Sequence, residues 1–443
     1  MLNGLMLMTI LTFSGGPDGA ARIEVTGSWQ IHVSSGVANV AGRKVKIAHE
    51  ATLDVAPPEM LTVKDEAYTS LPEFDEKAGG WMRGAKVHAL IAEECSATDE
   101  LVTESFTLRP SPGDSTPFKP GTDYRLDDRW ATFGRLPGGA IGPQTAVYAS
   151  YEYQYGRIDS IVVDKAGGVS LLRGTPHVAT PLPPAPPAGS VTIANVWIPG
   201  RLAALTPDNI YPILELHYPH YARNRMAVAA TLLPKTWAKL RTGKPLSVLA
   251  WGDSVTEGGA ASDVAHRYQS RFVARLGQKF KKSPITLTTC AWGGRCSDNF
   301  LHEPPGSPHN FEEKVIGAHP DLIVMEFVND GYLTPAQVEE KYSWFQKRFQ
   351  EIGAEWIIVT PHYIRPDWMN APSVRVETDP RPFVAALKEF GARHNVAVAD
   401  ASVRWGHLLR EGIPYITLLG NNINHPDDRG HELFADALMD LFE

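Results

Sequence analysis

Four short blocks of this chain hold the residue types that acyl transfer requires: Gly252-Asp253-Ser254, Gly293-Gly294, Asn329-Asp330 and His425-Pro426. That chemistry needs a nucleophile, a base that takes its proton, and donors for an oxyanion. Ser254 directly follows the apolar run Leu246–Trp251. Its hydroxyl therefore falls at the carboxyl end of a strand, where open α/β sheets bind ligands. His425 is the candidate base, in a loop just before the last helix. The candidate oxyanion donors are the Ser254 N–H, the Gly294 N–H and the Asn329 side-chain amide. Gly294 suits the role because glycine lets a substrate approach the backbone closely. Asn329 follows the apolar run Leu322–Val328, at the same expected sheet edge.

The elements that must position these blocks are legible from Lys244 onward. Apolar strand candidates are Leu246–Trp251, Ile285–Cys290, Leu322–Val328, Trp356–Thr360 and Val396–Ala399. Helical stretches alternate with them: Ala265–Phe280, Thr334–Ile352, Pro382–His394 and a final amphipathic helix over Arg429–Phe442. This alternation predicts an α/β fold with a parallel three-layer sheet over 244–443. Residues 22–180 instead read as an all-β sandwich or jelly-roll-like module. Within it Thr145–Tyr155 alternates at period two, with Tyr151, Tyr153 and Tyr155 on the core face. Ile158–Val163 and Val169–Leu172 flank an Asp-Lys-Ala-Gly-Gly turn as a hairpin. Between the two, 181–243 is expected to be a proline-rich linker, a strand at Val191–Pro199 and a helix near Arg223–Leu240.

Bulk properties narrow the function classes. A length of 443 residues implies more than one domain. The net charge of −8 and the lack of a basic run argue against a nucleic-acid partner. No apolar stretch is long enough to span a membrane. Leu5–Phe13, followed by Gly19-Ala20-Ala21, resembles a secretory signal peptide over 1–21, although it lacks a basic start. A secreted or periplasmic protein is expected, with a cytoplasmic one the alternative. The three cysteines, Cys95, Cys290 and Cys296, form no disulfide framework and read as small buried residues. His425, Asp427, Asp428 and His431 match no strong zinc spacing, so neither a metal nor a cofactor is expected. His431 reads as structural.

Taken together, the blocks Gly-Asp-Ser-Val-Thr-Glu-Gly-Gly (252–259), Gly-Gly-Arg-Cys-Ser (293–297), Val-Asn-Asp-Gly (328–331) and Asn-His-Pro-Asp-Asp-Arg-Gly-His (424–431) resemble the SGNH, or GDSL, hydrolases. The resemblance spans Lys244–Glu443. It implies a flavodoxin-like sheet and ester or thioester hydrolysis through an acyl-serine, without fixing the substrate. Two positions depart from the family pattern. Phe327 stands where a glycine is usual, which alters packing or pocket shape. Asn422 stands where the aspartate that orients the histidine is usual. In a Ser-His-Asp triad that change costs on the order of 10⁴-fold.

Several groups compete to orient His425: Asn422 through its side-chain oxygen, Asp400 after the strand Val396–Ala399, Glu326 within an apolar strand, or a backbone carbonyl that leaves a Ser-His dyad. His362, Arg365 and Trp368 follow another strand and are candidates for the pocket wall. The expected function is removal of a short acyl group, acetyl foremost, from an O-acetylated carbohydrate. A general short-chain carboxylesterase is the alternative. A carbohydrate-binding or surface-attachment protein with a decayed site is the rival from another class.

Overall fold

The computed structural model describes residues 11–12, 19–219 and 227–443. Most of the expected leader, and the Arg223–Met226 start of the expected connecting helix, lie outside them. The chain divides into two compact units. The first comprises Met1–His217 with Leu409–Thr417, and the second Tyr218–Leu408 with Leu418–Glu443.

In the first unit every pair of named strands is antiparallel. It has two cores. One joins residues of Arg22–Gly27, Gln30–Val33 and Gly36–Ile47 to those of Arg157–Val163 and Val191–Ile198. The other gathers Leu61–Tyr68, Leu101–Arg109 and Val147–Tyr153 around Phe106, Phe133 and Tyr151. The tyrosine alternation is a core signal: Val147, Ala149 and Tyr151 are buried. The hairpin pairs Val163 with Val169, as its turn sequence implied.

The strand and helix expected between 181 and 243 fall in different units. Val191–Ile198 pairs with Arg157–Val163 in the first unit, because its alternate apolar residues complete that core. The helices Val228–Leu232 and Pro234–Thr242 place Ala229, Leu233 and Leu240 in a core of the second unit. Asn195 Nδ2 donates to Gly412 O, and Leu214 N donates to Arg410 O. These bonds hold the Leu409–Thr417 excursion in the first unit.

The second unit is built on a parallel sheet of β1 (Leu246–Gly252), β2 (Ile285–Ala291), β3 (Leu322–Glu326), β4 (Glu355–Val359) and β5 (Ala397–Ala399). The spatial order is β2-β1-β3-β4-β5. Strand alternation divides its side chains between two cores. Leu246, Val248, Leu322, Val324, Ile357 and Val359 face Phe272, Leu276, Phe434 and Leu438. Leu249, Trp251, Ile323, Met325, Trp356 and Ile358 face Phe345, Phe349, Leu387 and Phe390. Helices on both faces give the expected three layers. β3 ends two residues before the expected Val328, because Val328–Asp330 turns into a short 3₁₀ segment.

Trp251 is fully buried and meets Phe300, Phe311, Phe327, Phe345 and Phe349 with ring centroids 4.9–6.2 Å apart. Phe327, the residue in place of the family glycine, spends its ring in this cluster and so affects packing. Trp251→Ala is expected to destabilise the second unit by about 3–5 kcal/mol, read as a lower urea midpoint by tryptophan-independent circular dichroism.

Candidate functional site

Each block occupies a loop at the carboxyl edge of the sheet. β1 runs into α1 (Ser254–Glu257), with Asp253 as its N-cap. Ser254 is the first helical residue, so its N–H has no acceptor within the helix. The residue is 6% exposed. The loop after β2 carries Gly293 and Gly294 and enters α3 (Ser297–Leu301), while α2 (Tyr268–Lys279) lies between β1 and β2. The turn after β3 carries Asn329 and Asp330. His425, also 6% exposed, lies just before the last long helix, Asp428–Met439.

Two buried carboxylates tie the first three blocks together. Asp253 Oδ1 accepts the Val255 N–H at 3.1 Å, and its Oδ2 accepts the Asn329 N–H at 2.9 Å. Asp330 Oδ1 accepts the Ser297 N–H at 2.9 Å, and its Oδ2 accepts the Ser297 hydroxyl at 2.7 Å. Asn329 Nδ2 donates to Arg295 O at 3.3 Å, which turns its amide toward the glycine loop. A Cβ placed on Gly293 would lie 3.7 Å from Ser254 Cβ and 2.7 Å from Glu257 Oε2, so this glycine makes the close approach. Gly294 has φ +69° and open space where a side chain would stand. It supplies the left-handed turn that exposes the loop backbone.

The fourth block packs on the turn that follows α1. Gly259 N donates to Ser254 O at 2.9 Å. A Cβ on Gly259 would fall 2.6 Å from His425 Nδ1. The imidazole therefore lies flat against a position that only glycine can fill. His431 braces the same turn. Its Nδ1 accepts the Tyr268 N–H at 3.3 Å, which leaves Nε2–H to face Gly259 O at 3.4 Å. Burial lowers its pKa to about 4, so the ring is neutral. Asn421 shapes the histidine loop, its Oδ1 accepting the N–H groups of Ile423, Asn424 and His425 at 2.8–2.9 Å. The run Asn421-Asn422-Ile423-Asn424 carries the turn-forming signal for this arrangement. His431 is structural, as its sequence position implied, whereas the role of Asn421 went unread from sequence.

The candidate orienters of His425 separate clearly. Asp400 is a correction: it caps α6 (Ala401–His407). Its Oδ1 accepts from Thr360, Ser402 and Val403, and its Oδ2 pairs with Lys388 at 3.1 Å. Glu326 is fully buried at the end of β3, and neither carboxylate oxygen is hydrogen-bonded in good geometry. The nearby Thr256 hydroxyl is engaged with Tyr268 Oη at 2.8 Å. Burial, then the adjacent acids Asp253 and Asp330, holds the Glu326 pKa well above the carboxylate range. It is a neutral acid and not a counter-charge for an imidazolium. Asp253 is also raised by burial, against the pull of the Asn329 and Val255 N–H groups. The charge of His425 pulls in the same direction as those N–H groups. Asn422 adopts φ +59°, and its buried Nδ2 has no hydrogen-bond partner among the described residues.

Of the three candidates for the pocket wall, His362 is corrected. His362 is fully buried between Trp405 and Phe434. Burial and then the Arg381 guanidinium hold its pKa well below the usual value, so it is a neutral core histidine. Arg365 is buried, with Nε donating to Asp367 at 2.6 Å. Its N–H donates to Ile423 O at 2.9 Å and ties this segment to the histidine loop. Trp368 is 44% exposed, with the Arg365 guanidinium over its ring. Asp427 caps the last helix, and Asp428 accepts from Ser262. Both have structural partners. Cys95 and Cys290 are buried, as expected, and Cys296 is half-buried.

Residues 250–433 match the family described as GDSL-like lipase/acylhydrolase. No curated protein matches the chain. Solved structures similar to it include a two-domain esterase active on acetylated mannans, at 16% identity and a TM-score of 0.39. That match covers 47% of this chain and 52% of the other, so the chain spans about half the length of that esterase. An acetylxylan esterase from Geobacillus stearothermophilus is similar at 18% identity and a TM-score of 0.36, covering 44% of this chain and 94% of the other.

Two outcomes test this geometry. Gly259→Ala is expected to displace the imidazole, read as a shift of the His425 ring signals by NMR, with little change in far-UV circular dichroism. Glu326 binds its proton in the folded state above the pH at which the unfolded chain releases it. The native state then holds more protons, and stability falls as pH rises through the ordinary carboxylate range. Glu326→Gln should flatten the loss of stability between about pH 5 and 8, measured by urea midpoints. A residual slope remains from Asp253 and from Asp330, which burial raises to about 6.

Proposed function

We propose that the protein is a serine ester hydrolase that removes acetyl groups from an O-acetylated carbohydrate, a reading supported by the match of residues 250–433 to the GDSL-like lipase/acylhydrolase family. Ser254 Oγ attacks the ester carbonyl carbon while His425 takes the hydroxyl proton. The new oxyanion is held by the Ser254 N–H, the Gly294 N–H and Asn329 Nδ2. The C–O bond to the sugar breaks, and His425 returns the proton to the leaving alkoxide. Water then attacks the acyl-serine with His425 again as base, releasing acetic acid and restoring Ser254.

The observation that carries this reading is the stitching of Ser254, the glycine loop and Asn329 by Asp253 and Asp330, with His425 seated on Gly259 one turn from the serine. Neither Asp400 nor Glu326 is an ionised partner for the imidazole. A short acyl group fits a protein expected to be exported and to carry an additional β-unit. A polysaccharide-bound acetate is a more accessible ester there than a lipid.

Turnover of p-nitrophenyl acetate by the purified chain is the test. Ser254→Ala should lower kcat by roughly 10³-fold or more, and wild type without activity would sink the proposal. Asn422→Asp should raise kcat, because a carboxylate at the family position would stabilise the imidazolium. An unchanged rate would mean that position 422 does not reach the ring.

A further inference from the structure

Beside the glycine loop lies a groove of about 380 Å³, walled by α3 (Asp298, Leu301), the turn after Asn329 (Tyr332) and α4, Pro335–Glu351 (Lys341, Trp344). None of the catalytic steps above uses it. Two of its residues are among the large apolar side chains left exposed on the second unit: Tyr332 is 57% exposed and Trp344 40%. Both are held in place. Tyr332 Oη donates to Asp298 Oδ2 at 3.0 Å and lies 3.6 Å from Cys296 Sγ, two residues beyond Gly294. Trp344 packs edge-on against Phe345 and at a tilt against Phe311. Lys341 Nζ pairs with the same Asp298 carboxylate at 2.6 Å. Fixed aromatic rings with an exposed surface bind at low entropic cost.

We infer that this groove is a sugar subsite that seats a pyranose unit of the polysaccharide next to the acetylated residue. The inference rests on the esterase reading above and names where its substrate's chain runs. A pyranose presents C–H groups on its faces and hydroxyls around its rim. It therefore suits an aromatic surface flanked by charged hydrogen-bonding groups. Here Tyr332 and Trp344 supply the surface, and Asp298, Glu340 and Lys341 stand at the rim. An acyl chain would fit poorly, because it would take those charges out of water without replacing their hydrogen bonds. Position supports the same occupant. Tyr332 lies against Cys296 in the loop that carries Gly294, and it follows Asn329 by three residues.

The test compares kcat/KM of the full chain on acetylated xylan and acetylated mannan with kcat/KM on p-nitrophenyl acetate, which has no sugar to seat there. Tyr332→Ala and Trp344→Ala should each lower the polymer-to-small-ester ratio roughly tenfold, mainly through KM. Tyr332→Phe, which keeps the ring, should stay within about twofold of wild type. If Trp344→Ala disturbs the Phe311–Phe345 packing, Tyr332→Ala decides alone, since most of its ring is in solvent. Unchanged ratios in an enzyme that deacetylates either polymer would overturn the subsite and leave the esterase reading intact. Turnover of p-nitrophenyl acetate without turnover of either polymer would overturn the carbohydrate assignment and the subsite together. No turnover of any ester by wild type would remove the reading on which both rest.

Discussion

The site depends on two buried carboxylates that bind backbone instead of substrate. Asp253 spans the first and third blocks, and Asp330 spans the third and second. Strands β1, β2 and β3 deliver their loops to one edge, but parallel strands alone leave loop positions free to differ by ångströms. A carboxylate fixed in one loop that accepts an N–H from another removes that freedom. Charge-assisted bonds of this kind are among the stronger ones available to a protein. They are also costly to bury, which is why burial raises the pKa of both acids. The third acid, Glu326, receives no such bonds and keeps its proton. The edge thus holds its geometry at the expense of stability in neutral solution, a recurrent pattern where buried ionisable groups serve a site.

The histidine is positioned by a different device. It rests on Gly259, whose carbonyl faces a second, neutral histidine, His431, and its loop is wound around the Asn421 side chain. Shape and backbone bonds thus fix the loop that carries it. The arrangement explains how Asn422 is accommodated: in a left-handed turn, with its amide nitrogen buried and without a hydrogen-bond partner among the described residues.

Much of this was legible in the chain. Strand alternation over Leu246–Trp251 and Leu322–Met325, helices ending within a few residues of their sequence limits, and four short blocks in order all follow from local rules of periodicity and turn chemistry. Phe327 could be read only as a departure, because its benefit lies in Trp251 and Phe300, which are distant in sequence. Asp400 misled for the opposite reason. An acid at a strand end is equally a helix cap, and the hydroxyls of Thr360 and Ser402 claimed it. His362 looked like a pocket residue because it follows a strand, yet the aromatic rings around it come from two other helices.

The sequence by itself determined the residue types, their order and the sheet edge they share, because these rest on short-range patterns of apolar spacing and glycine. Only the tertiary structure decided which acid serves which group, and that aromatic side chains from α4 and the turn after β3 meet beside the glycine loop. Those outcomes turn on pairings between segments tens of residues apart, where burial and competition for hydrogen bonds set the partner and local spacing carries no information.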